Sequence, residues 1–543
     1  MPARTHDMTP RVDLLHQKGT GPARLRRPVY RDYLPPCNQA CPAGENVQAW
    51  LALAQAGRYH DAWLELVKNN PLPAVHGRVC YHPCESSCNR AEFDTAVSIH
   101  AVERFLGDLA AREGWTFPVA AATNKRVLIV GAGPCGLSAA YHLAREGHAV
   151  EIHDAGSLPG GMLHFGIPAY RLPREDLMRE IARIEDMGVR IVLNHPVHDV
   201  LAEKEAGGFD AVLIAIGTQL DKRTEIPATD ACRVLSALSL LRGIEEESAP
   251  LLGRRVVVYG GGNTAMDAAR SARRLGAEEP LIVYRRDRAH MPAHAFELDE
   301  ALAEGVKVKW LSTIRSIGVG EIVVEQMRLD GSGVPQPTGK TERLPADAVV
   351  LALGQEADSA FLRSVPGIEI RSDGAIAVDA NLMTGYPGIF AGGDVVPGQR
   401  TVTIAVGHGK KAARRIDVWL RGAESSLEPK NPVVTRAMLN LPVYSDAAPQ
   451  IEAQVGVAQR LGGFGEVSAT LAEDQARYEA QRCLSCGNCF ECDQCFAACP
   501  EGAIIKLGPG LRYRLDYSLC TGCSACFEQC PCHAIEMIPE AGA

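Results

Sequence analysis

Sixteen of the chain's eighteen cysteines fall in two groups near its ends, with only Cys135 and Cys232 in the long middle section. Clustered thiols in a reduced compartment suit metal better than disulfides. Toward the C-terminus the sequence runs Cys489-x2-Cys492-x2-Cys495-x3-Cys499-Pro, then Cys520-x2-Cys523-x2-Cys526-x3-Cys530-Pro. Thiolates at this doubled spacing hold two [4Fe–4S] clusters, the fourth Cys of each run serving the other cluster. Cys489, Cys492, Cys495 and Cys530 are expected to bind one, and Cys520, Cys523, Cys526 and Cys499 the other. Near the N-terminus, Cys37-x3-Cys41-Pro precedes Cys80-x3-Cys84-x3-Cys88. That stretch has little apolar content and needs metal to order it; zinc is the alternative, although its usual CxxC pairs are missing.

Between these groups lie two glycine turns suited to phosphate. The first is Gly131-Ala-Gly133-Pro134-Cys-Gly136, between an apolar run Arg126 to Val130 and an amphipathic stretch reaching about Gly147. Gly131 permits the tight turn, Gly133 lets a pyrophosphate approach the backbone, and Gly136 lets helix and strand pack closely. The helix N-terminus offers N–H groups and a positive dipole end. Asp154 ends the next apolar run, Ala149 to His153, and is placed to accept ribose hydroxyls. The second turn, Gly260-Gly-Gly262-Asn263-Thr264-Ala265, repeats the plan. Its following strand ends in Tyr284-Arg285-Arg286, and arginines there favour a 2′-phosphate, hence NADPH over NADH. Arginines that merely solvate a strand end would leave that preference open.

To position these turns the chain must form parallel strands at Arg126–Val130, Ala149–His153, Ala211–Thr218, the LIVY run and Val349–Gly354, with helices between them. A Gly- and Pro-rich loop, Leu158 to Asp176, lies beside the first turn, and Gly160, Gly161 and Arg171 are assigned from it to the dinucleotide. From Ile389 a strand leads to Gly392-Gly393-Asp394 and a helix beginning near Thr401, suited to the ribityl–pyrophosphate of a flavin. The second nucleotide unit is thus inserted before the first is complete, the two-domain flavoprotein plan.

The middle of the chain resembles the small subunit of NADPH-dependent glutamate synthase and the reductase half of dihydropyrimidine dehydrogenase. GAGPCG, PGGMLHFGIPAYRLP, VVVYGGGNTAMDAAR, VYRR and AGGDVV carry the resemblance, from about Cys37 to Arg415. It implies FAD on the first unit, NADPH on the second and two [4Fe–4S] clusters in an N-terminal helical domain. That family starts with an EAxRCLxCG segment before its CxxxCP. Here the segment stands at the other end, as EAQRCLSCG, residues 479–487. The resemblance therefore implies that the tail folds back and lends Cys483 and Cys486 to a cluster with Cys37 and Cys88. It gives the second cluster Cys41, Cys80 and Cys84, with Glu103 as a fourth ligand by alignment of AVSIHAVERF. Four clusters take sixteen ligands, and this assignment supplies them, leaving Cys135, Cys232 and Cys532. Cys135 reads as a packed thiol. Two alternatives stay open: Cys483 and Cys486 as a local structural or zinc site with the tail, and Glu103 as a plain exposed helix acid.

The expected architecture is multidomain: an α-helical N-terminal iron–sulfur domain, two α/β Rossmann-like nucleotide-binding domains for FAD and NADPH, and a C-terminal α+β ferredoxin-like domain. The divisions are 1–122 (N-terminal arm and helical domain, with a helical pair Val47–Gln55 and Tyr59–Asn69), 123–250 and 366–421 (FAD), 251–365 (NAD(P)H), 422–478 (a linker over the surface) and 479–543 (the ferredoxin domain). The basic arm before Val29 reads as flexible or partner-docked. At 543 residues with net charge −9, the composition argues against a nucleic-acid footprint. With no long apolar run and no secretory leader, a cytoplasmic protein is expected.

These readings combine into an oxidoreductase that needs no side-chain acid or base, because the cofactors carry the chemistry. Electrons would pass between NADPH, FAD and four clusters, to or from a ferredoxin or partner enzyme such as a 2-oxoacid oxidoreductase. A glutamate synthase small subunit is the runner-up, and a non-enzymatic redox sensor or scaffold the reading from another class. His164, His290, His294 and His408 read as satisfied surface or core histidines.

Overall fold

A computed structural model describes residues 24–222, 226–228, 233–423 and 430–540. The arm through residue 23 and Cys232 lie outside these. Apolar, β-branched runs build two parallel five-stranded sheets, as buried central strands require. In the first, Ile389–Ala391, Ala211–Ile214, Arg126–Val130, Ala149–His153 and Arg190–Val192 lie in that order. In the second the order is Lys307–Lys309, Glu279–Val283, Arg255–Tyr259, Ala348–Leu351 and Arg233–Ser236. A three-stranded antiparallel sheet, Ser312–Gly318, Glu321–Leu329 and Pro335–Pro345, is attached to the second.

The helix Val402–Leu420 returns to the first unit and lies against Pro134–Arg145. The approach is so close that a Cβ on Gly409 would stand 2.3 Å from the carbonyl oxygen of Cys135. Ser138 Oγ donates to Val406 O at 2.8 Å across the same seam. Buried Lys410, on the outer side of this helix, donates to Ala43 O, Gly44 O and Asn69 Oδ1 at 3.0, 3.0 and 2.6 Å.

The N-terminal helices Val47–Gln55 and Tyr59–Val67 bury Trp50 and Trp63 in one core continuous with Val127 and Ile129 of the first sheet. The cysteine-bearing layer is therefore fixed rigidly to the first nucleotide unit. Glu180 reinforces the join by accepting from the backbone N–H groups of Ala74 and Val75 at 2.9 and 3.1 Å.

Two segments carry structure that has no pattern in the sequence. The described end of the basic arm is a strand, Arg26–Tyr30, antiparallel to Ile535–Pro539 at the far end of the chain. Arg24 clinches it, pairing with Glu540 at 2.6 Å. A five-residue strand containing Pro28 and two arginines has too little pattern to be recognised in sequence. The stretch 430–472 is pinned along its course. Val434 and Leu439 pack with Tyr33 and Leu484, Glu452 meets Arg104 at 3.0 Å, and Glu466 meets Arg78 at 2.7 Å. It delivers the helix Glu473–Gln481, and with it Cys483, onto the N-terminal layer. Among the described residues no helix is long and apolar enough to cross a membrane.

Candidate functional site

The two nucleotide units face each other across a cavity of about 1350 Å³. All residues assigned to the nucleotides from sequence line it except Gly136, Gly160 and Ala265. Gly131 has φ +110°, a turn open to glycine. A Cβ on Gly136 would stand 1.9 Å from Gly131 O, so this glycine serves helix–strand packing and not the cavity. Gly133 and Gly262, the N-caps of the helices Pro134–Arg145 and Asn263–Arg274, have nothing within 4 Å of where a Cβ would be. Each leaves free N–H groups facing a space that a pyrophosphate fits.

Asp154 fixes the shape of the first turn as well as ending its strand. Its carboxylate accepts from Ala132 N at 2.6 Å and from Gly156 N at 2.7 Å. Asp394 lies buried at the other edge, and burial raises its carboxyl to about 6 against the opposing pull of Arg400. His408 Nδ1 accepts from Gly393 N at 3.2 Å and holds that turn in place. His164 pairs with Pro159 O and His290 with Asp287, both structural contacts.

Arg171 is not left free for a phosphate. It bridges the units, reaching Asp267 at 2.8 Å and Glu297 at 2.6 Å. Arg285 is exposed and Arg286 half-buried, and among the described residues neither has an ion-pair partner, so both can meet an anion. Tyr81 and Arg400 also line the cavity. Sequence reasoning passed over both; only the position of Tyr81 beside Cys80 could have pointed to it.

The cysteines converge in four groups. Cys37 lies within electrostatic reach of Cys88, Cys483 and Cys486. Burial pushes the thiols of Cys483 and Cys486 up to about 11 and about 12. Cys41, Cys80 and Cys84 form a second group. Cys489, Cys492, Cys495 and Cys530 form a third, and Cys499, Cys520, Cys523 and Cys526 line a small apolar cavity of their own. N–H donors point at the sulfurs: Ser485 N at Cys483, Asn89 Nδ2 at Cys486, Ala503 N at Cys499 and Gly522 N at Cys520, between 3.3 and 3.5 Å. Clustered thiols that repel one another as thiolates, several of them offered an N–H donor, fit a cationic iron–sulfur centre. Cys532 is no part of this pattern; its thiol is 3.8 Å from Cys530 Sγ.

Glu103 is not an exposed helix acid. It is buried beside Glu45, His76 and Asn70, and Asn70 Nδ2 reaches both carboxylates, Glu45 at 2.9 Å and Glu103 at 2.8 Å. Burial and the neighbouring Glu45 hold its carboxyl well above the usual range. Glu45, which sequence reasoning missed, faces the Cys41 group as well.

The groups follow one another through short chain segments, a hydrogen bond and one through-space approach. Thr401 caps the helix Val402–Leu420 and lines the cavity, and Thr403 on its first turn donates to Cys80 Sγ at 3.0 Å. Cys37 lies within the short helix Pro36–Ala40 and Cys41 caps its C-terminus, while Cys84 lies within Pro83–Ser86 and Cys88 stands two residues beyond that helix. Cys486 is three residues from Cys489, and Cys526 lies within electrostatic reach of Cys495.

Residues 125–409 match the family described as pyridine nucleotide-disulphide oxidoreductase. Residues 31–115 match dihydropyrimidine dehydrogenase domain II with its 4Fe–4S cluster, and 513–536 match a 4Fe–4S binding domain. The beta subunit of an NADP(+)-dependent formate dehydrogenase from Moorella thermoacetica is 37% identical over 527 residues, covering 88% of this chain and 74% of that one. The beta subunit of an NADPH-Fe(3+) oxidoreductase from Geobacter sulfurreducens is 34% identical over 520 residues, 86% of this chain and 77% of that one. The small chain of the NADPH glutamate synthase of Escherichia coli is 34% identical over 420 residues, 71% of this chain and 89% of that one. With paired nucleotide turns across one cavity and cysteine layers on both flanks, the chain belongs to the pyridine nucleotide-disulphide oxidoreductases, among those joined to 4Fe–4S domains.

Proposed function

We propose that this chain is the NADPH-linked electron-transfer subunit of a larger enzyme, exchanging electrons with a partner protein through its C-terminal ferredoxin-like domain. The observation that carries this is the unbroken succession from the nucleotide cavity through Thr403 and Cys80 to the tail, closed by the return of Cys483 and Cys486 onto the N-terminal layer. When bound, FAD exchanges hydride with NADPH and single electrons with the clusters, and four [4Fe–4S] centres store and pass those electrons.

The chain's own residues supply binding and alignment. Gly133 and Gly262 open the two helix N-termini to phosphate, Asp154 and Asp394 offer acceptors to sugar and ribityl hydroxyls, and Arg285 and Arg286 meet the 2′-phosphate that marks NADPH. Arg171 holds the units face to face. The cysteine groups bury their metal in apolar surroundings and tune it through N–H···S contacts.

The beta subunits of a formate dehydrogenase and an Fe(3+) oxidoreductase match over 86–88% of this chain, the glutamate synthase small chain over 71%. That favours a catalytic partner docked on the ferredoxin-like tail over an ammonia-using one.

The test is anaerobic purification with counting of cofactors and a dye assay. About one FAD and about sixteen iron atoms per chain are expected, with NADPH-driven reduction of a viologen. Iron near eight would remove the N-terminal centres, and a loaded protein that reduces no dye would leave only the sensor or scaffold reading.

A further inference from the structure

At the C-terminal ends of two neighbouring strands of the first sheet, apart from every cysteine group, three side chains from different elements converge. His153 ends the strand Ala149–His153, His195 lies in the following loop, and Glu203 stands on the helix Val200–Ala206. Their ligand atoms all lie within 4.8 Å of one another. From the convergence of His153 Nδ1, His195 Nε2 and the Glu203 carboxylate beside Asp154, we propose a zinc site that ties this end of the sheet to the following loop and helix.

The tautomer of His153 is the first support. Glu151 Oε1 lies 2.7 Å from Nε2 and accepts its proton, which leaves Nδ1 as a lone-pair donor. A carboxylate on the far nitrogen is how ligating histidines are oriented. Glu151 is itself anchored by Arg190. The second support is an orphan. His153 is 5% exposed, and its Nδ1 has no hydrogen-bond partner. A buried acceptor left unsatisfied is costly unless something meets it. The nearest candidate, Glu203 Oε2, is 3.6 Å away, too far for a hydrogen bond. It is close to the ~3.4 Å edge of a tetrahedron with bonds of about 2.0–2.2 Å.

His195 Nε2 is 2.9 Å from Glu203 Oε1, and the two imidazoles meet at 65° with centroids 4.4 Å apart. Rings held edge to face, not stacked, can aim nitrogens at one point. The loop carrying His195 is itself fixed, since His195 N donates to Asp154 O at 2.8 Å. Two imidazoles and one carboxylate suit zinc, and calcium or magnesium would want oxygen throughout. His153 and His195 both line the nucleotide cavity, so the fourth ligand comes from that side.

The experiment uses the full chain loaded with flavin and clusters, equilibrated with zinc against a competing chelator and then desalted. Metals are counted by mass spectrometry, and the zinc X-ray absorption edge reports the ligands. About one zinc per chain bound by nitrogen and oxygen only is expected. His195→Ala and Glu203→Gln should lose it, and Glu151→Gln should weaken it about ten- to a hundredfold. His195 is partly exposed, so its variant tests the site without disturbing the core; an unchanged iron content and thermal midpoint confirm the fold. Zinc absent from the wild type, retained equally by His195→Ala and Glu203→Gln, or bound by sulfur would overturn the proposal, whichever way the NADPH assay falls.

Discussion

Asn263 donates from its side-chain amide to the hydroxyl of Tyr81 at 2.6 Å. Asn263 opens the helix of the second nucleotide unit, and Tyr81 follows Cys80 in the N-terminal layer. Tyr81 also stacks on His294, with centroids 3.7 Å apart and planes 11° from parallel, and His294 N donates to Asn263 Oδ1 at 3.0 Å. The second glycine turn is thus latched to the residue beside Cys80. Tyr81→Phe keeps the stack and removes the bond. A neutral hydrogen bond is worth about 0.5–1.5 kcal/mol, so the KM for NADPH should rise about two- to tenfold with flavin and iron contents unchanged. An unaltered KM would show that the latch does not act on nucleotide binding.

Specificity for the 2′-phosphate should reside in Arg285 and Arg286. With no carboxylate neutralising either side chain among the described residues, each can give a charge-assisted bond of about 1.5–3 kcal/mol. Arg285→Ser and Arg286→Ser should each raise the KM for NADPH about ten- to a hundredfold and leave that for NADH nearly unchanged. Equal losses with both nucleotides would place the arginines outside the phosphate site.

Cys483→Ser tests the returning tail. Cys483 sits with Cys37 and Cys88, so the variant should lose about four iron atoms per chain while both ferredoxin-type centres keep their spectra. Loss of a ferredoxin-type signal instead would assign Cys483 to the tail.

The nucleotide turns were legible because each is local: strand, glycines, helix and terminal residue lie within some thirty residues, and the spacing itself encodes the geometry. The tail cysteines were legible for the same reason. Long-range features carried no such pattern. Arg171 reads as a cofactor ligand by its place in a glycine-rich loop and does line the cavity, but its ion pairs with Asp267 and Glu297, about a hundred residues on, leave no trace in the local sequence. Glu103 reads equally as surface or ligand, because an acid on an amphipathic helix says nothing of the Glu45 and Asn70 that another loop brings to it. The strand Arg26–Tyr30 is stabilised only by a partner at the opposite end of the chain. Burial and pairing of charged groups are properties of the assembled fold, and one residue's neighbours in sequence do not announce them.

Arg171 makes that point quantitative. It joins two carboxylates in a seam where Arg171 and Glu297 side chains are 9% and 1% exposed. Removing one partner of a buried ion pair costs about 3–5 kcal/mol, because the remaining charge is left uncompensated. Arg171→Ala should lower the thermal midpoint markedly, and adding Asp267→Asn with Glu297→Gln should restore much of it. If the single variant melts like the wild type, the seam is not what holds the units together.

Asp394 predicts a pH dependence with a definite sign. Burial raises its carboxyl from 3.8 to about 6, so in the flavin-free protein the native state holds this proton more tightly than the unfolded chain does. Between about pH 4 and pH 6 the folded form then binds more protons, and linkage requires stability to fall as pH rises through that window and to level off above it. The full effect of such a displacement is about 3 kcal/mol. Asp394→Asn carries no ionisable group, so in its flavin-free form this component of the slope should vanish, leaving the variant more stable than the parent at pH 7 and closer to it at pH 4. Its affinity for FAD should fall, since the amide's NH2 cannot accept the hydroxyl hydrogen bonds that a carboxylate oxygen can. Thermal midpoints of the two flavin-free proteins across pH 4 to 7 decide the matter: parallel curves would mean that Asp394 is already ionised throughout and that burial does not govern it.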